Sequence, residues 1–156
     1  MAIVENTVDS NSLVRELFLA LADTSVETVK AQSYHWNVSG PQFSALHDLF
    51  QQIYEDHFRA QDALAERIKS LGGHVDGRCS IFLNSSTLME CDGRVTYERM
   101  IRNLASDQES LSASLQNLAR VADEKGDLVT NDLAVVRAGT HDKFGWILRS
   151  HIGMGH

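Results

Sequence analysis

Two histidines and two carboxylates in this sequence have the spacing of a metal site that one chain cannot complete. Asp62 and Glu66 are one helical turn apart, so both project from the same face of a helix. His47 falls within about 100° of them around that helix, but it lies ~22 Å away along the axis. If two copies of the helix cross antiparallel about a two-fold axis, His47 of one faces both carboxylates of the other. His35 then arrives from the end of the preceding helix.

Each of these residues also has an ordinary explanation. An acidic pair one turn apart is typical of a solvated helix face, where Asp62 could pair with Arg59 and Glu66 with Lys69. A single histidine is more often a core or surface residue than a ligand. Trp36, next to His35, would by itself be expected in the core. Spacing alone therefore leaves a shared metal site and a solvated face as competing hypotheses.

The elements that must position these residues are four long helices. Apolar residues keep helical spacing over four segments: about Ser10 to Asn37, about Gln42 to Leu71, Thr96 to about Glu124, and Asp127 or Thr130 to His151. Asp9, Ser10 or Ser12 could cap the first helix. The Gly40–Pro41 pair ends the first helix, and Gly72–Gly73 ends the second.

The connection between the second and third helices is long. Residues 74–95 lose the helical spacing and are rich in Gly, Ser and Asn, with one short helix expected near Thr87–Cys91. Short first and last connections with a long middle one predict an all-α, ferritin-like four-helix bundle with a crossover. Residues 1–156 form one domain in this interpretation, and residues 1–9 are a short acidic segment that we expect to be flexible. No glutamate is followed three residues later by histidine, so the sequence lacks the E-x-x-H signature of a di-iron centre inside the bundle.

Composition excludes several classes of function. The formal net charge is −7, the first basic residue is Arg15, and no Lys or Arg follows Arg149, so neither terminus is a basic arm for DNA. Cys79 and Cys91 form no C-x-x-C motif and are expected to be reduced thiols. No secretory signal or membrane-spanning run is evident, so we expect a soluble, cytoplasmic protein without a membrane partner.

Four stretches, taken in order, resemble the Dps family of mini-ferritins. These are SYHWNVSG (33–40), FSALHDLFQQIY (43–54), DALAERIKSLGG (62–73) and HDKFGWILR (141–149). The resemblance covers essentially the whole chain. It implies a hollow homododecamer that is cytoplasmic or associated with the nucleoid.

The resemblance also implies a ferroxidase that stores iron and protects against oxidative stress. His35 and His47 of one subunit, with Asp62 and Glu66 of its partner, would bind one or two iron ions, for which imidazole and carboxylate are suitable ligands. Zinc is a substitute ion for such a site. Fe(II) would be oxidised by hydrogen peroxide or O2, and Trp36 would lie beside the centre as an electron donor.

Asp127 and Asp132 align with acidic residues that line iron pores in the family. Their ordinary explanation is that acids are favoured at the start of a helix.

Two features depart from the family. Gln51 stands where an acidic residue is common, so it would be a weak contact for the second iron; His57, Glu55 or Asp56 could compensate. The chain also lacks the Lys-rich tail of DNA-binding members, so direct DNA binding at neutral pH is not expected. The alternatives to a ferroxidase are a metal-binding shell without efficient turnover and a nucleoid-binding protein that protects DNA.

Overall fold

The computed structural model describes the backbone of residues 2–154 and the side chains of residues 12–154. Within that range the chain is all-α, as predicted. Its five helices are α1 (Ala2–Asn37), α2 (Phe43–Ser70), α3 (Cys79–Ser85), α4 (Tyr97–Glu124) and α5 (Leu128–Ser150). The four long helices form the bundle, and the short α3 lies in the crossover between α2 and α4, so the predicted ferritin-like architecture is confirmed.

The bundle consists of two helix pairs, α1 with α2 and α4 with α5, joined mainly where α1 packs against α4. The apolar core has two large clusters, one at each end. One contains Leu17, Leu21 and Leu118, and the other contains Tyr34, Phe50 and Ile101, all fully or almost fully buried. Burying such side chains stabilises the fold by roughly 1.5–3 kcal/mol each.

The sharp connection between α1 and α2 sets the position of His35 relative to His47. Gly40 adopts a positive φ of 113°, a conformation that residues with a side chain rarely adopt. The chain can therefore reverse within residues 38–42 and start α2 beside the end of α1. Gly72, with φ of 84°, follows α2 as the predicted left-handed glycine.

Two predicted boundaries are wrong. The short crossover helix is Cys79–Ser85, not Thr87–Cys91. Asp23, buried on α1, accepts hydrogen bonds from the Ser86 hydroxyl and from the backbone N–H of Thr87, both at 2.7 Å. These contacts hold the segment after Ser86 in an extended path and stop α3 there.

The first helix begins at Ala2 rather than near Ser10. Asp9, Ser10 and Ser12 therefore lie inside α1 and cannot cap it, because a capping residue needs a non-helical backbone. Residues 1–9 are predicted to be flexible. Met1 and the side chains of residues 2–9 lie outside the described part of the chain, so this stays a prediction.

The remaining boundaries agree with the prediction. Thr96 caps α4 by accepting a hydrogen bond from the N–H of Arg99, and Asp127 caps α5. Both cysteines are free thiols. Among the described residues, the helices are all too short or too polar to span a membrane.

Candidate metal centre

His35 and His47 form one half of the candidate site. Their rings stack with centroids 3.7 Å apart and planes 18° apart, at the junction of α1 and α2. The Nδ1 of His35 lies 2.7 Å from the carbonyl oxygen of His47, and the Nδ1 of His47 lies 2.8 Å from the carbonyl oxygen of His35. Because a carbonyl oxygen can only accept, both Nδ1 atoms carry the proton in this arrangement. In the neutral imidazole with this tautomer, the lone pair that a metal ligand needs lies on Nε2.

Asp62 and Glu66 form the other half, further along α2. Both side chains are exposed, and within the described part of the chain neither carboxylate forms an ion pair. The pairings with Arg59 and Lys69 that would explain them as a solvated face are therefore not observed. Two carboxylates that lie on one helix face without an ion-pair partner are suited to bind a cation supplied from outside the chain.

Large aromatic side chains are exposed near the two halves. Phe58 lies on the same side of α2 as His47 and Asp62, and its side chain is 70% exposed. Trp36, at the end of α1, is 69% exposed, so the expectation that it is a core residue is wrong. A groove of about 630 Å³ runs beside Asp62 and is lined by Phe58, Leu21 and Phe82, among others. Large exposed aromatic groups next to an open carboxylate are typical of a surface that another chain covers.

The chain alone does not assemble a complete site. No group of three or more His, Cys, Asp or Glu side chains among residues 12–154 has the geometry to hold a metal ion. The structure therefore brings His35 and His47 together, and leaves Asp62 and Glu66 apart from them on α2. If these four residues bind one ion, a second chain must supply one half, and this shared site stays a prediction.

The residues considered as compensation for Gln51 differ sharply in their surroundings. The Gln51 amide Nε2 donates to Glu55 Oε1 at 2.8 Å, and Glu55 is exposed. His57 is fully buried inside the bundle, so the suggestion that it completes a surface site is wrong. Asp56 is bound by Arg137, whose Nη2 lies 2.8 Å from Asp56 Oδ2. Of these three residues, Glu55 is the one whose side chain is exposed, and one of its carboxylate oxygens is bonded to Gln51.

A buried polar network, which sequence reasoning missed, crosses the centre of the bundle. One side chain comes from each long helix: Glu27, His57, Gln108 and His141, all fully buried. Gln108 is the hub. Its Nε2 lies 2.9 Å from Glu27 Oε1 and 3.2 Å from His57 Nε2, and its Oε1 lies 2.6 Å from His141 Nδ1. In the sequence, the only sign of this network is one polar residue within the apolar stripe of each long helix.

Burial controls the protonation of this network. Burial, with Asp107 nearby, raises the pKa of Glu27 well above its usual range. Burial also lowers the pKa of His57, and it lowers the pKa of His141 with further help from the neighbouring His57 and Arg137. In all three groups burial therefore favours the neutral form. Fully buried side chains that bond to Gln108 are poor candidates for iron ligands, which agrees with the missing E-x-x-H motif.

Asp127 has a local structural role. It accepts from the backbone N–H of Thr130 at 3.0 Å, and its Oδ1 lies 2.8 Å from Arg67 Nη2. Burial alone would raise its pKa, but the hydrogen bonds from Thr130 and Arg67 outweigh burial and lower it. Asp132 is exposed on α5. The explanation of Asp127 as a helix cap is therefore confirmed, and a pore lined by Asp127 and Asp132 stays a prediction.

Comparisons with known proteins agree with this architecture. Residues 16–154 match the model of the ferritin-like domain. The chain is 40% identical over 134 residues to an uncharacterized low temperature-induced protein of Nostoc, covering 85% of this chain and 75% of the relative. It is 29% identical over 143 residues to DNA protection during starvation protein 2 of Bacillus anthracis, covering 92% and 98%.

Solved structures are similar over nearly the full chain. Dps from Staphylococcus aureus has a TM-score of 0.89 at 31% identity, covering 92% of this chain and 96% of that one. A Dps protein from Vibrio cholerae, described as a member of a broad superfamily of ferritin-like diiron-carboxylate proteins, has a TM-score of 0.89 at 27% identity, with 94% and 92% covered.

Proposed function

Because the chain belongs to the Dps group of the ferritin-like family, we propose that it oxidises Fe(II) with hydrogen peroxide and stores the ferric product inside a shell built from its own copies. The observation that carries this proposal is the divided site. His35 and His47 present two lone pairs at one end of α2, while Asp62 and Glu66 present two carboxylates nearer its other end.

An antiparallel pairing of two α2 helices unites the halves. It brings the histidines of one chain to the carboxylates of its partner twice, once on each side of the two-fold axis. It also covers the exposed Phe58 and Trp36, whose burial favours the dimer. The same contact therefore hides apolar surface and completes two iron sites.

The ligand set suits iron oxidation. Neutral imidazole binds Fe(II), and the two carboxylates stabilise the additional positive charge of Fe(III). The reciprocal bonds between each Nδ1 and the opposite carbonyl fix the ring orientations before iron binds. Two Fe(II) ions reduce one peroxide: 2 Fe(II) + H2O2 + 2 H⁺ gives 2 Fe(III) + 2 H2O. Supplying both electrons together avoids release of hydroxyl radical, which is how such a protein protects a cell from oxidative stress.

Storage follows from the assembly that we propose. Twelve copies would enclose a cavity in which Fe(III) hydrolyses to a mineral, and acidic pores that include Asp132 would draw Fe(II) inward. Direct binding to DNA is not part of the proposal, because the net charge of −7 is unfavourable for a polyanion. Zinc, which shares this ligand preference, would occupy the site without redox turnover.

The proposal is tested by loading Fe(II) without oxygen and then adding peroxide while ferric absorbance is recorded. We expect fast oxidation at about one peroxide per two irons, as the balanced reaction requires, and a loss of at least tenfold in His35→Ala and Glu66→Ala. His74→Ala is the control, since His74 is exposed and belongs to neither half. Slow oxidation at the same rate in all four proteins would reject the ferroxidase and favour a shell that binds metal without turnover.

A second prediction concerns Gln51. Replacing its neutral amide by carboxylate in Gln51→Glu is expected to tighten binding of the second Fe(II) by about tenfold, the effect of roughly 1.4 kcal/mol. The measurement is anaerobic titration calorimetry with Fe(II), with Gln52→Glu as the matched control on an exposed neighbour. An equal change in both variants would mean that added negative charge, rather than a ligand at position 51, caused the effect.

A further inference from the structure

The two histidines of the candidate site belong to a column of four aromatic rings. Phe43 stacks on His47 with centroids 5.1 Å apart, and His47 stacks on His35 at 3.7 Å. Tyr54 completes the column, with its ring 5.3 Å from the His35 ring and nearly perpendicular to it at 80°. The phenol is thus in ring contact with an iron ligand of the proposed function.

Tyr54 is better placed for this contact than the other redox-active rings nearby. Tyr34 is fully buried on the core side of α1, and its hydroxyl is engaged by Asn103 Nδ2 at 2.7 Å. Trp36 follows His35 directly in the chain, but its side chain turns outward and is 69% exposed. Tyr54 is half-buried against the apolar core, so its ring is held in position beside His35.

The chemistry of the site creates a need for an additional electron. Peroxide requires two electrons to form water, and a single Fe(II) supplies one. The second iron position has a neutral amide at Gln51, which is already engaged with Glu55 at 2.8 Å. A neutral ligand that is bound elsewhere favours a state in which only one Fe(II) is present when peroxide arrives.

We propose that Tyr54 supplies the second electron when a single Fe(II) occupies the site. This inference rests on the proposed ferroxidase function and extends it. The balanced step is Fe(II) + Tyr–OH + H2O2 + H⁺ giving Fe(III) + Tyr–O• + 2 H2O. The iron and the phenol each lose one electron, the phenol loses its proton, and the O–O bond breaks with formation of two waters. Hydroxyl radical is therefore not released even from a half-filled site.

The experiment uses the assembled protein with one Fe(II) per site, mixed with peroxide and frozen rapidly for electron paramagnetic resonance. We expect a tyrosyl radical signal in the wild type that is lost at least tenfold in Tyr54→Phe. Trp36→Phe and Tyr97→Phe should retain the signal. A spin trap in parallel samples should report severalfold more hydroxyl radical from Tyr54→Phe than from the wild type, which a merely structural role for the ring would not produce.

Two outcomes would overturn the inference. One is a tyrosyl signal of unchanged size in Tyr54→Phe, and the other is a tryptophanyl signal in the wild type that is lost in Trp36→Phe, which would assign the donor to the tryptophan. Failure of the ferroxidase itself is recognised separately, with two Fe(II) per site. There, wild type and the exposed-site control His74→Ala should both oxidise iron fast, and slow oxidation by both would reject the proposed function rather than the role of Tyr54.

Discussion

Two inactive variants of this protein are expected to restore activity when their subunits are mixed. The first variant, His35→Ala/His47→Ala, lacks the imidazole half of the site. The second, Asp62→Ala/Glu66→Ala, lacks the carboxylate half. In a mixed dimer, one site receives neither half, while the other receives histidines from the second variant and carboxylates from the first. Random pairing makes about half of the dimers mixed with one intact site in each, so about a quarter of the sites should be active.

The measurement is the initial rate of Fe(II) oxidation by peroxide after the variants are dissociated together, reassembled and purified as shells. Intact shells that are mixed without dissociation provide the control and should stay inactive. If each chain held a complete site of its own, every chain in the mixture would still be defective. Rates at the background level in properly reassembled mixed shells would therefore contradict the shared site, whereas recovery near a quarter of the wild-type rate would support it.

The sequence allows these two halves to be predicted because they lie on regular elements. The positions of His47, Asp62 and Glu66 on one helix follow from 3.6 residues per turn, and this helix was predicted with its boundaries nearly correct. The separation of histidine from carboxylate along the axis follows from the rise per residue. Local geometry of a helix is thus sufficient to show that one chain cannot complete the site.

Other features depend on contacts between distant segments, which spacing does not reveal. The reciprocal bonds of His35 and His47 require the reversal at Gly40 to bring two helix ends together. The end of α3 depends on Asp23, more than sixty positions earlier in the chain. The predicted start of α1 was wrong because Ser and Asp residues resemble caps in sequence even when the helix continues through them.

The buried network around Gln108 is the clearest example of a feature that residue spacing does not reveal. Each of its members is a single polar residue on a different helix, and no local pattern connects them. A buried polar group is costly without a hydrogen bond, and Gln108 supplies a partner to each of the other three, while Glu27 Oε2 has none among the described residues. The network also determines how the stability of the subunit depends on pH.

We expect the free energy of unfolding to fall as the pH drops below about 6.5, with Glu27 opposing this trend. On the acid side, the folded-state pKa values of His57 and His141 are depressed, so the unfolded chain binds more protons than the folded one. Stability from these groups is complete above their unfolded pKa and is lost as the pH falls below about 6.5. Each group contributes a slope of up to about 1.4 kcal/mol per pH unit.

Glu27 acts in the opposite direction. Its folded-state pKa is raised, so the folded protein binds the extra proton, and stability declines as the pH rises above about 4.5, the usual value for glutamate. Between about pH 4.5 and 6.5 the two histidines outweigh the one glutamate, and stability rises with pH. Above about pH 6.5 the contributions of the histidines are complete, and the downward slope from Glu27 ends once its raised pKa is passed.

Urea unfolding of wild type, His57→Gln and Glu27→Gln across pH 4.5–8.5 tests this balance, with protein concentration held constant because assembly also stabilises the fold. In His57→Gln one histidine remains against Glu27, so the slope below pH 6.5 should fall to nearly zero. In Glu27→Gln the opposing contribution is removed, so the acid slope should steepen. His74→Gln, which changes an exposed histidine, should keep the wild-type profile.

Parallel profiles for wild type and both core variants would show that the buried network does not govern the pH dependence. A shallower acid slope in His57→Gln together with a steeper one in Glu27→Gln would show that these two buried groups, from α2 and α1, set the pH dependence of subunit stability.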